Sequence, residues 1–304
     1  SGGSPGLPSE LIYTTDGGAN WSQATITGIG ATEDPNHIAI VGSRIVVLSA
    51  TAGSATSGGY YWADIDPDTG VPGTWTKVTT GFVNAAQPRD IFVLSPREVF
   101  ICGDAGYIYK ATDITSGVSV LNAGVATAQN LNRIHGSDDV IVAVGAAGTV
   151  IRSINRGATF AATVTAPTVS LLQALWVFDR LRFWVGSVNG YIWYTLDGGK
   201  TWTNKGFSGN GSGQVFDINF PSEEIGYMLH GNATPTARLF FTLDGGVTWT
   251  NVGWRLAKWP TFNYAKQIAT PTSSDSAVNC NNVAIAGITS TNDGVLLLGI
   301  AQRL

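Results

Sequence analysis

Two aspartates hold matching places in strand-like runs: Asp90 in Arg89-Asp90-Ile91-Phe92 and Asp217 in Phe216-Asp217-Ile218-Asn219. Two carboxylates about 5–10 Å apart across a sugar are the machinery of glycoside hydrolysis, so these are the candidates for catalysis. The same Asp-Ile pattern also suits an ordinary strand repeat, and no pair distance can be read from it. Asp64, Asp66 and Asp68 alternate within Asp64-Ile65-Asp66-Pro67-Asp68-Thr69-Gly70, as oxygen ligands do in a Ca²⁺ loop. The glycine stands one place late and no Glu closes the loop, so a turn is the simpler reading and no metal is expected. His37, His135 and His230 share no ligand spacing, which leaves a zinc centre or a Ser-His-Asp triad without support. No glycine-rich loop precedes a helix, and no cofactor is expected.

Recognition chemistry is concentrated elsewhere. In Trp254-Arg255-Leu256-Ala257-Lys258-Trp259-Pro260-Thr261-Phe262-Asn263-Tyr264-Ala265-Lys266, four aromatics alternate with three cations in a chain that is only 12% charged. Aromatic and arginine side chains concentrate at binding hot spots, which makes Trp254, Arg255, Lys258, Trp259, Phe262 and Tyr264 the candidate ligand-binding residues. The alternative is that these rings pack down onto the body of the protein, as large aromatics usually do.

The elements that must position these residues follow from a repeat. Thr195-Leu196-Asp197-Gly198-Gly199-Lys200-Thr201-Trp202 returns as Thr242-Leu243-Asp244-Gly245-Gly246-Val247-Thr248-Trp249 and as Thr14-Thr15-Asp16-Gly17-Gly18-Ala19-Asn20-Trp21. Ser153-Ile154-Asn155-Arg156-Gly157-Ala158-Thr159-Phe160 is a fourth copy with Asn for Asp and Phe for Trp. Asp-Gly-Gly is hairpin chemistry: glycine accepts positive φ and the carboxylate takes backbone N–H groups across the turn. The Trp that follows can pack back into the apolar layer. Asp16, Trp21, Asn155, Asp197, Trp202, Asp244 and Trp249 are therefore assigned to structure, with Trp202 and Trp249 expected to be largely buried. Around each turn the chain reads as four short strands, clearest at Val215–Phe220, Ile225–Leu229, Arg238–Phe241 and Trp249–Val252. A four-strand unit recurring about every forty to fifty residues predicts an all-β propeller.

The turn residues resemble the Asp-box, or BNR repeat, of β-propellers found in sialidases, xyloglucan-degrading hydrolases, sortilin-type receptors, photosystem II assembly factors and phage tail proteins. The resemblance implies a fold of four-stranded antiparallel blades. It does not select a function, because that family includes enzymes, receptors and assembly factors. Sialidase activity would need an arginine triad, a Tyr nucleophile with a Glu partner, and an Arg-Ile-Pro signature before the first box. Here Arg44-Ile45-Val46 follows the first box and lacks the proline.

At the ends, Leu11-Ile12-Tyr13 reads as a third strand, and Asn282–Ala286 with Gly294–Gly299 as first and second strands. One blade would then combine both termini and remove the open sheet edges. This gives a single domain over 1–304 with six blades. Seven stays open, because residues 254–278 form an insertion longer than one connection needs. Residue 1 is Ser and not Met, as in a processed form, an expression form or a fragment of a longer chain.

Composition adds bounds. The chain has 38 glycines, 44% hydrophobic residues and a net charge of −4, against about 25% charged residues in ordinary domains. That balance argues against nucleic acid, which needs a basic face. No apolar run of about 18 residues predicts membrane insertion. Cys102 reads as a buried small hydrophobe and Cys280 falls in a polar stretch, so no disulfide is expected. The expectation is a non-enzymatic recognition or structural propeller, extracellular or on a virion such as a phage tail or capsid surface. It would bind a glycan or protein partner on one face, other virion proteins among them. A glycan-active hydrolase with channel-lining carboxylates and a protein-docking assembly factor are the alternatives.

Overall fold

A computed structural model describes residues 10–13, 20, 22–30, 33–51, 58–83, 86–123, 126–163, 165–205, 213–231, 238–255, 265–269, 283–288 and 294–300. In chain order the strands are β1 (Glu10–Tyr13), β2 (Ser22–Thr25), β3 (Glu33–Val41), β4 (Arg44–Thr51), β5 (Gly59–Asp64), β6 (Thr76–Val78), β7 (Pro88–Ser95), β8 (Glu98–Gly103), β9 (Tyr107–Ala111) and β10 (Ser119–Ala123). They continue with β11 (Leu131–Ser137), β12 (Val140–Gly145), β13 (Val150–Ser153), β14 (Ala161–Ala162), β15 (Leu172–Val177), β16 (Phe183–Ser187), β17 (Ile192–Thr195) and β18 (Thr203–Asn204). The last are β19 (Gln214–Asn219), β20 (Gly226–Gly231), β21 (Arg238–Thr242), β22 (Thr250–Arg255), β23 (Ala265–Ala269), β24 (Val283–Ile288) and β25 (Gly294–Ile300). Among the described residues helix is limited to single 3-10 turns at Asp104–Gly106 and Ala146–Gly148. None is long and apolar enough to cross a membrane.

Five sheets have four strands each, in sequential order: β3–β6, β7–β10, β11–β14, β15–β18 and β19–β22. Their strands pair antiparallel. These are the units the repeat predicts. The chain divides into two compact units, residues 26–185 with 193–204, and residues 1–25 with 186–192 and 205–304.

In the first-named unit, both faces of the sheets are buried. Period-two alternation sends successive side chains to opposite faces. On β12, Val140, Val142 and Val144 pack with Leu172, Leu175, Val177 and Phe183 of the following sheet. Ile141 and Ala143 turn the other way, onto Phe100, Cys102 and Ile108 of the preceding one. A third core joins Val46, Leu48 and Tyr60 to Ile91, Val99, Ile101 and Tyr109. Each such side chain contributes about 1.5–3 kcal/mol when fully buried, so the stacked faces hold the sheets in fixed register. Close approach of backbones depends on Gly145, where an added Cβ would stand 1.9 Å from the Asn130 carbonyl oxygen.

The unit that contains both ends of the chain departs from expectation. Its five-stranded sheet runs β2-β1-β25-β24-β23. The strand near the N-terminus does pair with a late one, Glu10 with Gly294 and Ile12 with Leu296, but in parallel. The reason is β23, a strand within the stretch expected to be an insertion. It precedes β24 and shifts each later strand by one place. β25 thereby runs in the direction of a third strand and meets β1, itself a third strand, side by side.

Candidate functional site

Four opening strands of the repeating sheets share a distortion. The pairing register slips between Pro35 and His37, between Pro88 and Asp90, between Leu131 and Arg133, and between Val215 and Asp217. Each bulge therefore delivers one polar residue, followed by isoleucine, to the same strand position: His37, Asp90, Arg133 and Asp217. Bulges re-aim side chains in this way. Asp90 and Asp217 thus hold equivalent positions, as expected. They lie in different units, and both are buried.

Asp90 is 5% exposed and fully engaged. Its Oδ1 accepts from its neighbour's Ile91 N–H at 2.9 Å and faces His37 Nδ1 at 2.9 Å, and its Oδ2 accepts the Ile134 N–H at 2.8 Å. Arg133 Nη1 stands 3.9 Å from Oδ1 and contacts His37 Nε2, while its Nε donates to the Gln173 carbonyl at 2.8 Å. Arginine has no acceptor, so the ring nitrogen facing it takes the proton's place as acceptor and His37 donates from Nδ1 to Asp90. Burial alone would raise the Asp90 pKa, but His37, Arg133 and the Ile134 amide outweigh it and hold the carboxyl below its usual range. The carboxylate joins β3, β7 and β11, and Arg133 extends the network to β15 through the Gln173 carbonyl.

Two residues beyond Asp90 and Arg133, on the same side of their strands, stand Phe92 and His135, and Trp176 stands beside His135 on β15. Their rings form a row across β7, β11 and β15, with centroids 4.9 and 4.3 Å apart. Phe178 continues it as a T-shaped neighbour of Trp176 at 6.5 Å. All four are half-buried. His135 Nδ1 accepts the Val177 N–H at 3.1 Å, and burial, against the pull of Asp90, pushes its imidazole down to about 4. It is a neutral aromatic face near pH 7.

The repeated turns consume their carboxylates. Thr195 Oγ1 donates to Asp197 Oδ1 at 2.8 Å and accepts the Gly199 N–H at 2.8 Å. Asp197 accepts the Thr201 N–H at 2.9 Å and the Thr201 hydroxyl at 2.6 Å. Thr242, Asp244, Gly246 and Thr248 repeat the pattern. The Thr hydroxyl and amide bring the pKa of Asp197 and of Asp244 down to about 2. Asn155 keeps the geometry with one bond reversed, its Nδ2 donating to Thr159 at 2.9 Å. Gly199 needs its positive φ of 87° here. Trp202 donates from Nε1 to the Thr165 carbonyl at 3.0 Å and sits edge-on to Phe183, and Trp249 sits edge-on to Phe220. Both are half-buried rather than largely buried, and Trp202 packs at the margin of the core that joins its sheet to the preceding one.

Asp64 pairs with Arg44 Nε at 2.8 Å, and Asp66 accepts the Asp68 and Thr69 N–H groups at 3.0 and 2.8 Å, an Asx turn. Among the described residues no three His, Cys, Asp or Glu side chains converge as metal ligands. Asp16, Trp21, Lys258, Trp259, Phe262, Tyr264 and Cys280 lie outside the described residues. Trp254 and Arg255 end β22, with only their backbone described.

Sequence reasoning missed two clusters. His37 and Arg133 were not tied to Asp90, although their shared place before isoleucine was the available signal. A Tyr–Glu pair also exists: the Tyr61 hydroxyl donates to Glu33 at 2.5 Å, with Lys77 on the same carboxylate. Tyr61 is 0% exposed, and burial together with Glu33 pushes its phenol up, so it is no accessible nucleophile.

Antiparallel four-stranded sheets in sequential order, with faces packed on their neighbours, define the class: this is a β-propeller fold. No family model and no curated protein matches the chain. Solved structures similar to it include YCF48 from Cyanidioschyzon merolae, 15% identical over 94% of this chain and 87% of that one, with a TM-score of 0.64. Another is the WD40 β-propeller domain of Doa1, 10% identical over 89% and 83% of the two chains, with a TM-score of 0.56.

Proposed function

We propose that this chain is a non-enzymatic β-propeller that docks a protein partner on the first-strand face carrying Phe92, His135, Trp176 and Phe178. The observation that carries the reading is the occupancy of Asp90: its oxygens face His37 and accept two amides, and the turn carboxylates are equally spent. Catalysis needs an acid or base within reach of a substrate, and these groups face the fold instead. The half-exposed rings remain, and aromatic side chains are enriched where proteins bind one another.

The test is retention of a protein from an extract of the source cells by the immobilised chain, side by side with Trp176→Ala/Phe178→Ala. The reading expects a protein held by the unmodified chain and lost by the variant, with no turnover of sialosides or β-glucans by either. Turnover abolished by Asp90→Asn at a temperature where that variant stays folded would replace docking with catalysis.

A further inference from the structure

We propose that His135 is an acid-opened latch between β11 and β15: as a neutral ring it holds the Val177 amide and closes the far end of β15 onto its neighbour, and once protonated it lets that end go. β11 and β15 open different sheets and share no strand pairing, so side chains must tie them. At the start of β15, Asn132 Nδ2 donates to the Leu172 carbonyl at 3.3 Å and Arg133 Nε donates to the Gln173 carbonyl at 2.8 Å. At its far end the direction reverses, and the Val177 N–H donates to His135 Nδ1 at 3.1 Å. An amide and a guanidinium keep their protons across the accessible pH range, so the first two ties do not respond to acid. The third needs a bare Nδ1, which a single proton takes away. The latch works without a partner and so goes beyond the docking reading.

The surroundings decide which form the ring prefers. A proton on Nδ1 would set two donors against each other and leave the amide of buried Val177 without its acceptor. The faces of Phe92 and Trp176, with centroids 4.9 and 4.3 Å away, would attract an imidazolium. β7 brings Asp90, which also pulls toward the charged form, and Arg89, which pairs with Asp104. Asp90 is already held by His37 of β3 and Arg133 of β11. β8 brings Cys102, kept as a thiol by burial, and Glu98, held by Lys110 and Arg156. β12 and β15 bring no titratable side chain. Burial outweighs Asp90 and brings the imidazole from the ordinary 6.5 down to about 4. The unfolded chain therefore takes the proton first. The stabilisation from the neutral ring is present above about 6.5 and is lost as pH falls through about 4.

The experiment is an NMR titration of the full chain from about pH 7.5 to 3.5, beside urea denaturation at pH 7 and pH 5. The His135 ring should titrate with a midpoint near 4, and the Val177 amide resonance should move with the same midpoint. His135→Asn offers a carbonyl oxygen as acceptor and takes no proton. Between the two denaturation conditions, the folding equilibrium of the unmodified chain should fall about twentyfold more than that of this variant. His135→Phe keeps a ring between Phe92 and Trp176 but has no acceptor, so it should be the less stable protein at pH 7, by a margin that narrows at pH 5. A His135 midpoint near 6.5, a Val177 amide that does not follow it, an equal fall in His135→Asn, or a margin in His135→Phe that does not narrow each overturns the proposal. Both midpoints are read on the unmodified chain, so they decide even if a variant fails to fold.

Discussion

Replacing Asp90 by Asn keeps the shape of the side chain and removes its charge and one acceptor. Whichever oxygen becomes the amide nitrogen then faces a donor, either the Ile134 N–H now at 2.8 Å or the His37 and Ile91 N–H groups now at 2.9 Å. Arg133 is left without the nearby carboxylate in a buried setting. Breaking a buried charge pair from one side costs about 3–5 kcal/mol. Because Arg133 keeps the Gln173 carbonyl, the lower end applies, about 3 kcal/mol. In a chain of this size that is a fall in Tm of about 6–12 °C. The pH dependence gives an independent check. The folded pKa of Asp90 is depressed, so its stabilisation is fully present above the unfolded value of about 3.9 and is lost as pH falls through the folded value. Thermal melts of both proteins at pH 7 and pH 3 should therefore show a gap at neutral pH that narrows in acid. Equal melting temperatures at pH 7, or a gap that does not change with pH, would refute the network.

Thr195→Val should lower stability by about 1–3 kcal/mol, because it leaves the buried Gly199 amide without its acceptor; chemical denaturation measures it. Gly145→Ala should cost about 1–3 kcal/mol or fail to fold, since its Cβ would stand 1.9 Å from the Asn130 oxygen. Trp202→Ala should cost about 2–4 kcal/mol, less than a fully buried aromatic, because the indole is half-exposed; a melt unchanged by it would remove the packing role.

The fold was legible because each repeat states its own turn. Thr195, Asp197 and Gly199 close a hairpin by local bonds, and local bonds leave a local pattern. The last sheet was less legible. Ala265–Ala269 pairs with residues near 285, and neither its alanines nor its polar neighbours give a strand signal, so β23 was hidden. The site was half legible. Asp90 and Asp217 were found from Asp-Ile, but the partners that set the chemistry of Asp90 come from other sheets: His37 and Arg133 are separated by 96 residues and meet only through packing. The aromatic row likewise has one ring per sheet, so no window contains it. The sequence drew attention to Trp254–Tyr264 because its aromatics are adjacent in the chain. Its composition suggested a virion or glycan setting, for which nothing in the fold or the described surfaces speaks.

The central claim is that the first-strand face binds a protein. A photoreactive phenylalanine at position 178, compared with one at the exposed turn position 201, tests it most directly in an extract of the source cells. The account predicts a discrete protein adduct from position 178 and none from position 201. Adducts only from position 201, or from neither position, would contradict it.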